Sequence, residues 1–352
     1  MKKEFEDQLT PEVREKMKKN LVYIGIFSVV MLFAGFTSAY LVTMGDSFWL
    51  KHPLPWGFWA STITIALSSL TFIIAIKNIQ KGNTQGLKTF MALTVFLGLL
   101  FVYFQFKGYG QLTSEGIHPV NNHLIVTDGR YGDYFEVKYK DVLVEVDGNH
   151  YKLKGKEMTE AQMKDLQAFM SQFLELSEKK PFKVNSYGKD FVLYFENTLV
   201  TEKAGNLLKS DGEELAFVDR LRLRDLAMNV HDGRGDFFVK GDIGKDFNIY
   251  YKGKALEYKD RTLLFEGKKL SSYLQLKAME TADTASSFLY IITFLHLLHI
   301  FVALIYLLRV TIYSFSGRFT AENHLSLKTG AIFWHFLGLL WLYLLLFLLF
   351  IH

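Results

Sequence analysis

The stretch SFLYIITFLHLLHIFVALIYLL, residues 287–308, decides the fold class of this 352-residue chain. It contains no Asp, Glu, Lys or Arg, and about 20 apolar residues are enough for a helix to cross a bilayer. Four further runs of this kind occupy residues 21–43, 56–76, 89–106 and 331–351. The sequence therefore predicts an integral membrane protein with five spans, of which 89–106 is the shortest.

The distribution of Lys and Arg around the spans predicts their orientation, because cytoplasmic loops carry an excess of these residues. Segment 1–20 carries six of them, whereas the loop after the first span carries only Lys51. We therefore expect 1–20 to be a cytoplasmic amphipathic helix, with Thr10 as its N-cap and Pro11 at its first position. The segment 108–284 and the C-terminus then lie on the extracytoplasmic side.

Between the third and fourth spans lies a polar stretch with the length of one compact domain. Residues 109–284 contain 26 Lys/Arg and 29 Asp/Glu, a net charge near −3. Alternation in 135–140 predicts a strand, Asp147-Gly148 predicts a hairpin turn, and Thr159 with Gln162 predicts a capping box before an amphipathic helix. Further strands are expected later in this stretch, so the insert is predicted to be an α+β domain.

Several residue types and patterns are absent from the sequence, and their absence excludes some classes of function. It has no cysteine, which excludes disulfides and thiolate-bound metal centres, and its net charge of +4 is too small to indicate nucleic acid as a partner. No predicted span contains an ionisable Asp, Glu, Lys or Arg of the kind that proton pumps carry. The HDGRGD segment, 231–236, lacks the acidic positions of a calcium loop and is interpreted as a turn.

Histidines inside the spans are the strongest candidates for chemistry, because imidazole is costly in hydrocarbon unless it has partners. His296 and His299 are three residues apart and share a helix face, and His335 lies in the last span beside Trp334. The fourth and fifth spans run in opposite directions, so His335 is expected about 10 Å or more from His299 along the membrane normal. Hydrogen bonding between helices is thus favoured over a shared metal or haem site.

Read together, the spans resemble subunit III of the haem–copper oxidases, the cytochrome c oxidase type, in its five-span form. The motifs that carry this resemblance follow the family's order, one or two to a span. They are MLFAGFTSAYLV (31–42), the two prolines and LSSLT with Ser68 and Ser69 (53–71), Leu97-Gly98 with Phe101 and Gln105, Thr293 with His296 and His299, and His324 with Trp334, His335, Phe336 and Trp341. The resemblance covers the membrane portion and leaves the insert outside it.

Four carboxylates of the family pattern are replaced in this chain. The matching positions are Val29, Gly108, Lys328 and Gly338. What these replacements do to the family's support of proton supply is left open by the sequence, whereas a scaffolding role does not depend on them.

The resemblance implies a non-catalytic subunit of a cytochrome c oxidase that serves aerobic electron transport. Subunits I and II would be its partners and would hold the haem and copper, and phospholipid would bind between its helices. It further implies a bacterial inner (cell) membrane as the location. Residues 108–284 would face the side on which cytochrome c or another respiratory complex docks. The sequence does not decide whether the electron donor is cytochrome c or a quinol.

The predicted organisation has four parts. The parts are a helix at 1–20, spans one to three in 21–107, the α+β insert at 108–284 and spans four and five in 285–352. The predicted fold class is an all-α transmembrane bundle with an inserted α+β soluble domain. The alternatives are a membrane cytochrome with histidine-ligated haem, and a membrane sensor with an external ligand domain.

Overall fold

A computed structural model describes residues 10–120, 123–125, 129–176, 187–237, 239 and 241–351. The chain divides into two compact units. The membrane unit comprises the chain up to Gly45, Pro53–Ser114 and Ala285 onwards, and the insert unit comprises Asp46–His52 and Glu115–Thr284. The predicted fold class is confirmed, since five helices are long and apolar enough to cross a membrane and a β-rich region lies between the third and fourth of them.

The membrane unit consists of five long helices. They are α1 (Pro11–Asp46), α2 (Trp56–Gln80), α3 (Thr84–Ser114), α7 (Thr284–Phe315) and α8 (Leu325–Phe350). Residues 1–9 of the predicted helix lie outside the described residues; from Pro11, the expected first position, α1 continues without a break into the first span. Helix α3 likewise continues to Ser114, seven residues beyond the predicted boundary at 107.

A tight turn joins α2 and α3. Gly82 adopts a left-handed φ of +76°, which ends α2, and the side chain of Asn83 accepts a hydrogen bond of 2.9 Å from the backbone N–H of Gly86 to cap α3. Farther along the pair, a Cβ placed on Gly57 would lie 2.7 Å from the backbone nitrogen of Gly108. The two helices therefore approach each other closely where both residues lack a side chain.

The insert unit contains fourteen short strands within its described residues, and all of their ladders are antiparallel. The largest sheet has the order β5-β4-β3-β2-β6-β7, two sheets have three strands each, β1-β10-β11 and β12-β13-β14, and β8 pairs with β9. The strands are β1 (Trp49–Lys51), β2 (Phe135–Tyr139), β3 (Val142–Asp147), β4 (His150–Leu153), β5 (Lys156–Glu157), β6 (Phe191–Phe195), β7 (Thr198–Leu199), β8 (Thr201–Lys203), β9 (Asn206–Leu208), β10 (Asn248–Tyr251), β11 (Lys254–Ala255), β12 (Glu257–Lys259), β13 (Thr262–Phe265) and β14 (Lys268–Lys269).

Three helices complete the insert unit: α4 (Glu160–Ser171), α5 (Phe217–His231) and α6 (Ser272–Glu280). The predicted capping box at Thr159 and Gln162 is present at the start of α4. The inner face of α4 and the core of α5 pack with the inward residues of the six-stranded sheet. The predicted hairpin at Asp147-Gly148 is also present, with Gly148 at a φ of +62° between β3 and β4.

Strand β1 comes from the loop between the first two spans, which sequence reasoning did not connect with the insert. Its register is Trp49 opposite Tyr250 and Leu50 opposite Ile249, and the ring of Phe48 stacks on Tyr251 at 4.7 Å between centroids. Through these pairings the apolar side chains of the short loop are buried in the insert unit. Residues 46–52 therefore belong to that unit.

Candidate functional site: the polar core of the helix bundle

Polar side chains link α2 to α3 in the interior of the membrane unit. Gln105 donates through Nε2 to the hydroxyl of Ser61 at 2.8 Å, and both side chains are fully buried. The hydroxyl of Ser68 donates to the carbonyl of Thr94 at 3.0 Å, and the hydroxyls of Thr71 and Thr94 are 2.8 Å apart. In an apolar surrounding such bonds hold two helices in a fixed register.

Two tryptophans of α8 join the same network. The indole N–H of Trp334 donates to Ser68 at 3.2 Å, and that of Trp341 donates to Thr62 at 2.8 Å. Trp334 and Trp341 are almost completely buried, so each donor would be costly without its partner. Ser68, predicted as a motif residue without a partner, thus connects α2, α3 and α8.

The three candidate histidines have three different environments. The Nε2 atom of His296 lies 3.0 Å from the carbonyl of Leu337, a hydrogen bond from α7 to α8, whereas Nδ1 of His299 bonds the carbonyl of Leu295 within α7 at 2.7 Å. His335 is half-buried, and its ring lies 6.0 Å from that of Phe72 on α2. Of the three, His296 alone is bonded to another helix in the described structure.

Aromatic rings enclose His296. The rings of Phe33, Phe101 and Trp341 lie 6.5, 6.0 and 5.3 Å from its ring between centroids, and none of its surface is exposed. A haem plane bound at His296 would have to displace one of these rings, so this residue does not fit a haem ligand. Among the described residues, no group of three His, Cys, Asp or Glu side chains is placed to hold a metal ion.

Further contacts that the sequence did not indicate connect the remaining helices. Tyr109 on α3 donates to Thr293 on α7 at 3.1 Å, and Tyr343 on α8 donates to Thr37 on α1 at 3.1 Å. Hydroxyl residues at helical spacing were the available signal, but nothing in one sequence says which of them face each other. The polar contacts described in the bundle core are thus hydrogen bonds that hold helices together.

One of the four positions at which the family pattern has a carboxylate, Gly108, is too closely packed to accept a larger side chain. Gly108 is buried, and a Cβ on it would lie 2.7 Å from the ring of Phe58. Val29 is only 9% exposed, while a Cβ on Gly338 would make an ordinary contact of 3.4 Å with the hydroxyl of Ser69. At position 108 the ring of Phe58 occupies the space that a carboxylate side chain would need.

Gly108→Glu tests that packing. The overlap with Phe58 alone should cost about 1–3 kcal/mol of stability, and burial of the carboxyl should add to it. We expect a lower thermal midpoint in detergent for the full-length variant. Gly110→Glu is the matched control, because a Cβ there meets nothing within 4 Å. Equal midpoints for the two variants would contradict the packing described here.

The insert unit has a buried carboxylate, paired with partly exposed arginines, that sequence reasoning missed. Asp236, the last residue of the HDGRGD turn, is fully buried and receives Arg261 Nη2 at 2.8 Å and Nε at 3.2 Å. Tyr258 donates to the same carboxylate, and Nε of Arg130 lies 3.8 Å from it. Arg261 and Tyr258 lie 20 to 30 positions after Asp236 and Arg130 lies about a hundred positions before it, so the turn serves to hold the fold.

A second charged group borders a cleft of about 220 Å³ that includes Asp147, Phe237 and Tyr258 in its lining. His150 lies in this lining between two carboxylates, with Nδ1 2.7 Å from Glu157 and Nε2 bonded to Asp242. The bond to Asp242 is the main cause that raises the pKa of His150, and the same bond lowers the pKa of Asp242.

The stability of the insert unit should therefore depend on pH through His150. The pKa of His150 is raised on folding. His150 therefore stabilises the folded unit fully at pH values below the ordinary pKa of histidine, and this stabilisation is lost as the pH rises through the folded pKa. The contribution of Asp242, whose pKa is lowered, is lost instead as pH falls through its folded value. We expect the urea midpoint of the insert unit to drop between neutral and alkaline pH.

His150→Gln should flatten that alkaline decline, whereas His231→Gln, which removes an exposed histidine beside Asp232, should leave it in place. An unchanged decline in the His150→Gln variant would show that another group causes it.

These observations define the class of protein: a multi-pass membrane protein whose helices are held by hydrogen bonds in the bundle core. Residues 261–352 match the family model described as Cytochrome c oxidase subunit III. The match supports the subunit III family, so the family that the motifs predicted is confirmed through α7 and α8. A search of curated proteins finds no match to this chain.

The match begins at Arg261, so it includes β13, β14 and α6 of the insert unit as well as α7 and α8. The first three spans lie outside the matched range, so their assignment rests on their own motifs.

Proposed function

We propose that this chain acts as the non-catalytic subunit III of a cytochrome c oxidase, packed on subunit I and stabilising it together with its proton-uptake path. The observation that carries the proposal is the subunit III match over the two helices that hold His296, Trp334 and Trp341. These three side chains bond or pack with other helices of the bundle. This is what a scaffold requires, because its helices must keep one arrangement while a neighbouring subunit works.

Haem and copper belong, in this proposal, to subunits I and II. Outward-facing apolar side chains of α7 support a contact with such a subunit or with bound phospholipid, since each of them is more than half exposed. They are Phe294, Leu298, Phe301, Val302 and Ile305.

We also place the complex in a bacterial inner membrane, with the N-terminus in the cytoplasm and the insert and C-terminus outside it.

Support of proton uptake in this chain would be structural. The packing of Phe58 against Gly108 speaks against a carboxylate at that position, and Lys328 offers the opposite charge at another. A subunit of this kind keeps the path intact by holding subunit I in shape, with no proton carried by the four replaced positions.

The insert would dock a partner on the outer side. Its net charge near −3 slightly favours a basic partner such as cytochrome c, and its own buried core makes it a stable platform. Another respiratory complex is the alternative partner.

Purification of the native complex in mild detergent tests the proposal. We expect a haem–copper subunit I and a subunit II to accompany the chain, and we expect the chain expressed alone to show no Soret band. Recovery without any haem–copper subunit would overturn the proposal. A Soret band in the isolated chain that is lost in His299→Ala, but kept in His231→Ala, would favour the membrane cytochrome.

A further inference from the structure

Helix α6 carries an exposed apolar face that the insert unit does not cover. Tyr273 and Leu276, three residues apart and therefore on one face, are 71% and 53% exposed. The opposite face is anchored, because Ala278 is buried and the amide of Gln275 donates to the carbonyl of Leu263 at 2.6 Å. The two large side chains thus project from a helix whose orientation on its own unit is fixed.

The chain brings this helix close to the bilayer. Only Thr281–Asp283 separate α6 from α7, and the long apolar run of α7 begins at about residue 287. Residues 281–283 are not helical and 284–287 are, so the connection spans at most about 16 Å, and α6 can reach the headgroup layer next to the hydrocarbon core. The insert-unit end of this connection is held, because the carbonyl of Thr281 accepts a hydrogen bond of 2.9 Å from the backbone of Leu124.

The charges around the exposed face suit a lipid surface. Lys268 and Lys269 are exposed on β14, directly before α6, and Lys277 lies on the same helix face as Tyr273. Glu280 is the one acidic residue between 268 and 280, so this segment carries an excess of positive charge. Lysines near a bilayer gain from anionic headgroups, and tyrosine rings are enriched at headgroup depth.

We propose that α6 lies on the membrane, with Tyr273 and Leu276 in the headgroup–acyl boundary and Lys268, Lys269 and Lys277 among anionic lipid headgroups. The ligand is the bilayer itself, on the side where α7 enters it. Two apolar side chains give little binding alone, but the covalent link to α7 holds them near the lipid at a high effective concentration. This contact would fix the insert unit against the membrane surface, whichever complex the chain joins.

The absence of cysteine from the chain makes a direct test possible, because each introduced cysteine is unique. We suggest Tyr273→Cys and Leu276→Cys in the full-length chain, each labelled with a nitroxide and reconstituted in phosphatidylethanolamine–phosphatidylglycerol vesicles. Two reference sites bracket the result. Phe301→Cys is an exposed position inside a membrane span, and Met228→Cys is an exposed position on α5, far along the chain from any span.

Accessibility to oxygen and to a water-soluble nickel chelate is then compared at the four sites. The ratio of oxygen to nickel accessibility should be several-fold higher at 273 and 276 than at 228, and lower than at 301. A ratio equal to that at 228 would overturn the proposal, because it would place the face in water. Protection from both reagents would also overturn it, because protein and not lipid would then cover the helix.

Discussion

Replacing Trp49 with alanine should lower the free energy of unfolding of the insert unit by about 3–5 kcal/mol, the usual cost of truncating a buried large aromatic side chain. Trp49 is 1% exposed and lies opposite Tyr250 in the pairing of β1 with β10. The change is made in a loop between two membrane spans, yet its effect should appear in the unit formed mainly by residues 115–284. Pulse proteolysis of the full-length protein across a urea series measures it.

Trp59→Ala is the control for this prediction. Trp59 lies only ten residues away but is 45% exposed and belongs to the membrane unit. It should leave the urea midpoint of the insert unit unchanged. If Trp49→Ala also left it unchanged, the pairing of β1 with β10 would contribute nothing to the stability of that unit.

Arg261→Met should be the second large effect, at about 3 kcal/mol, because it removes the closest cation from a buried carboxylate. Asp236 has none of its surface exposed while Arg261 is in place, so its carboxylate depends on these partners rather than on water. Arg130, whose Nε is 3.8 Å away, can replace only part of that interaction. The measurement is again the unfolding free energy of the insert unit in the full-length chain.

Lys254→Met supplies the comparison for Arg261→Met. Lys254 pairs with Glu266, and both side chains are more than half exposed, so the loss should stay below about 1 kcal/mol. Similar losses for the two variants would mean that burial of Asp236 does not govern the strength of its pairing.

Periodicity and local chemistry were enough to predict the five membrane spans and several local elements of the insert unit. A mainly apolar run of 22 residues without Asp, Glu, Lys or Arg has few stable alternatives to a membrane span. The capping box at Thr159 and Gln162 acts within four residues. The hairpin at Asp147-Gly148 is equally local, because the turn residues themselves permit its geometry.

Long-range partners were beyond what one sequence can show. Strand β1 has three residues and no alternation of its own, and its partner lies about 200 positions away. Asp236 was visible only as part of a turn, since its partner Arg261 carries no pattern that links the two. Both contacts depend on how complete units fold, which local propensity does not encode.

In the candidate site, too, local features were predictable from the sequence and long-range partners were not. Helical spacing predicted that His296 and His299 share a face, but it could not predict that Leu337 lies within bonding distance of one of them while the other bonds to its own helix. The roles of Ser68 and Trp334 depend on which residues face each other between α2 and α8. The family motifs indicated these positions, and the structure supplies the partner of each.

The pairing of β1 with β10 also bears on how the protein is made. Ribosomes add about 5–20 residues per second, so β1 is synthesised roughly 10–40 s before its partner strand exists. During that interval the two helices that flank it can already enter the bilayer, while Phe48, Trp49 and Leu50 wait unpaired in the loop. The order of synthesis therefore leaves an apolar strand open to a chaperone or to another nascent chain until residue 251 has emerged.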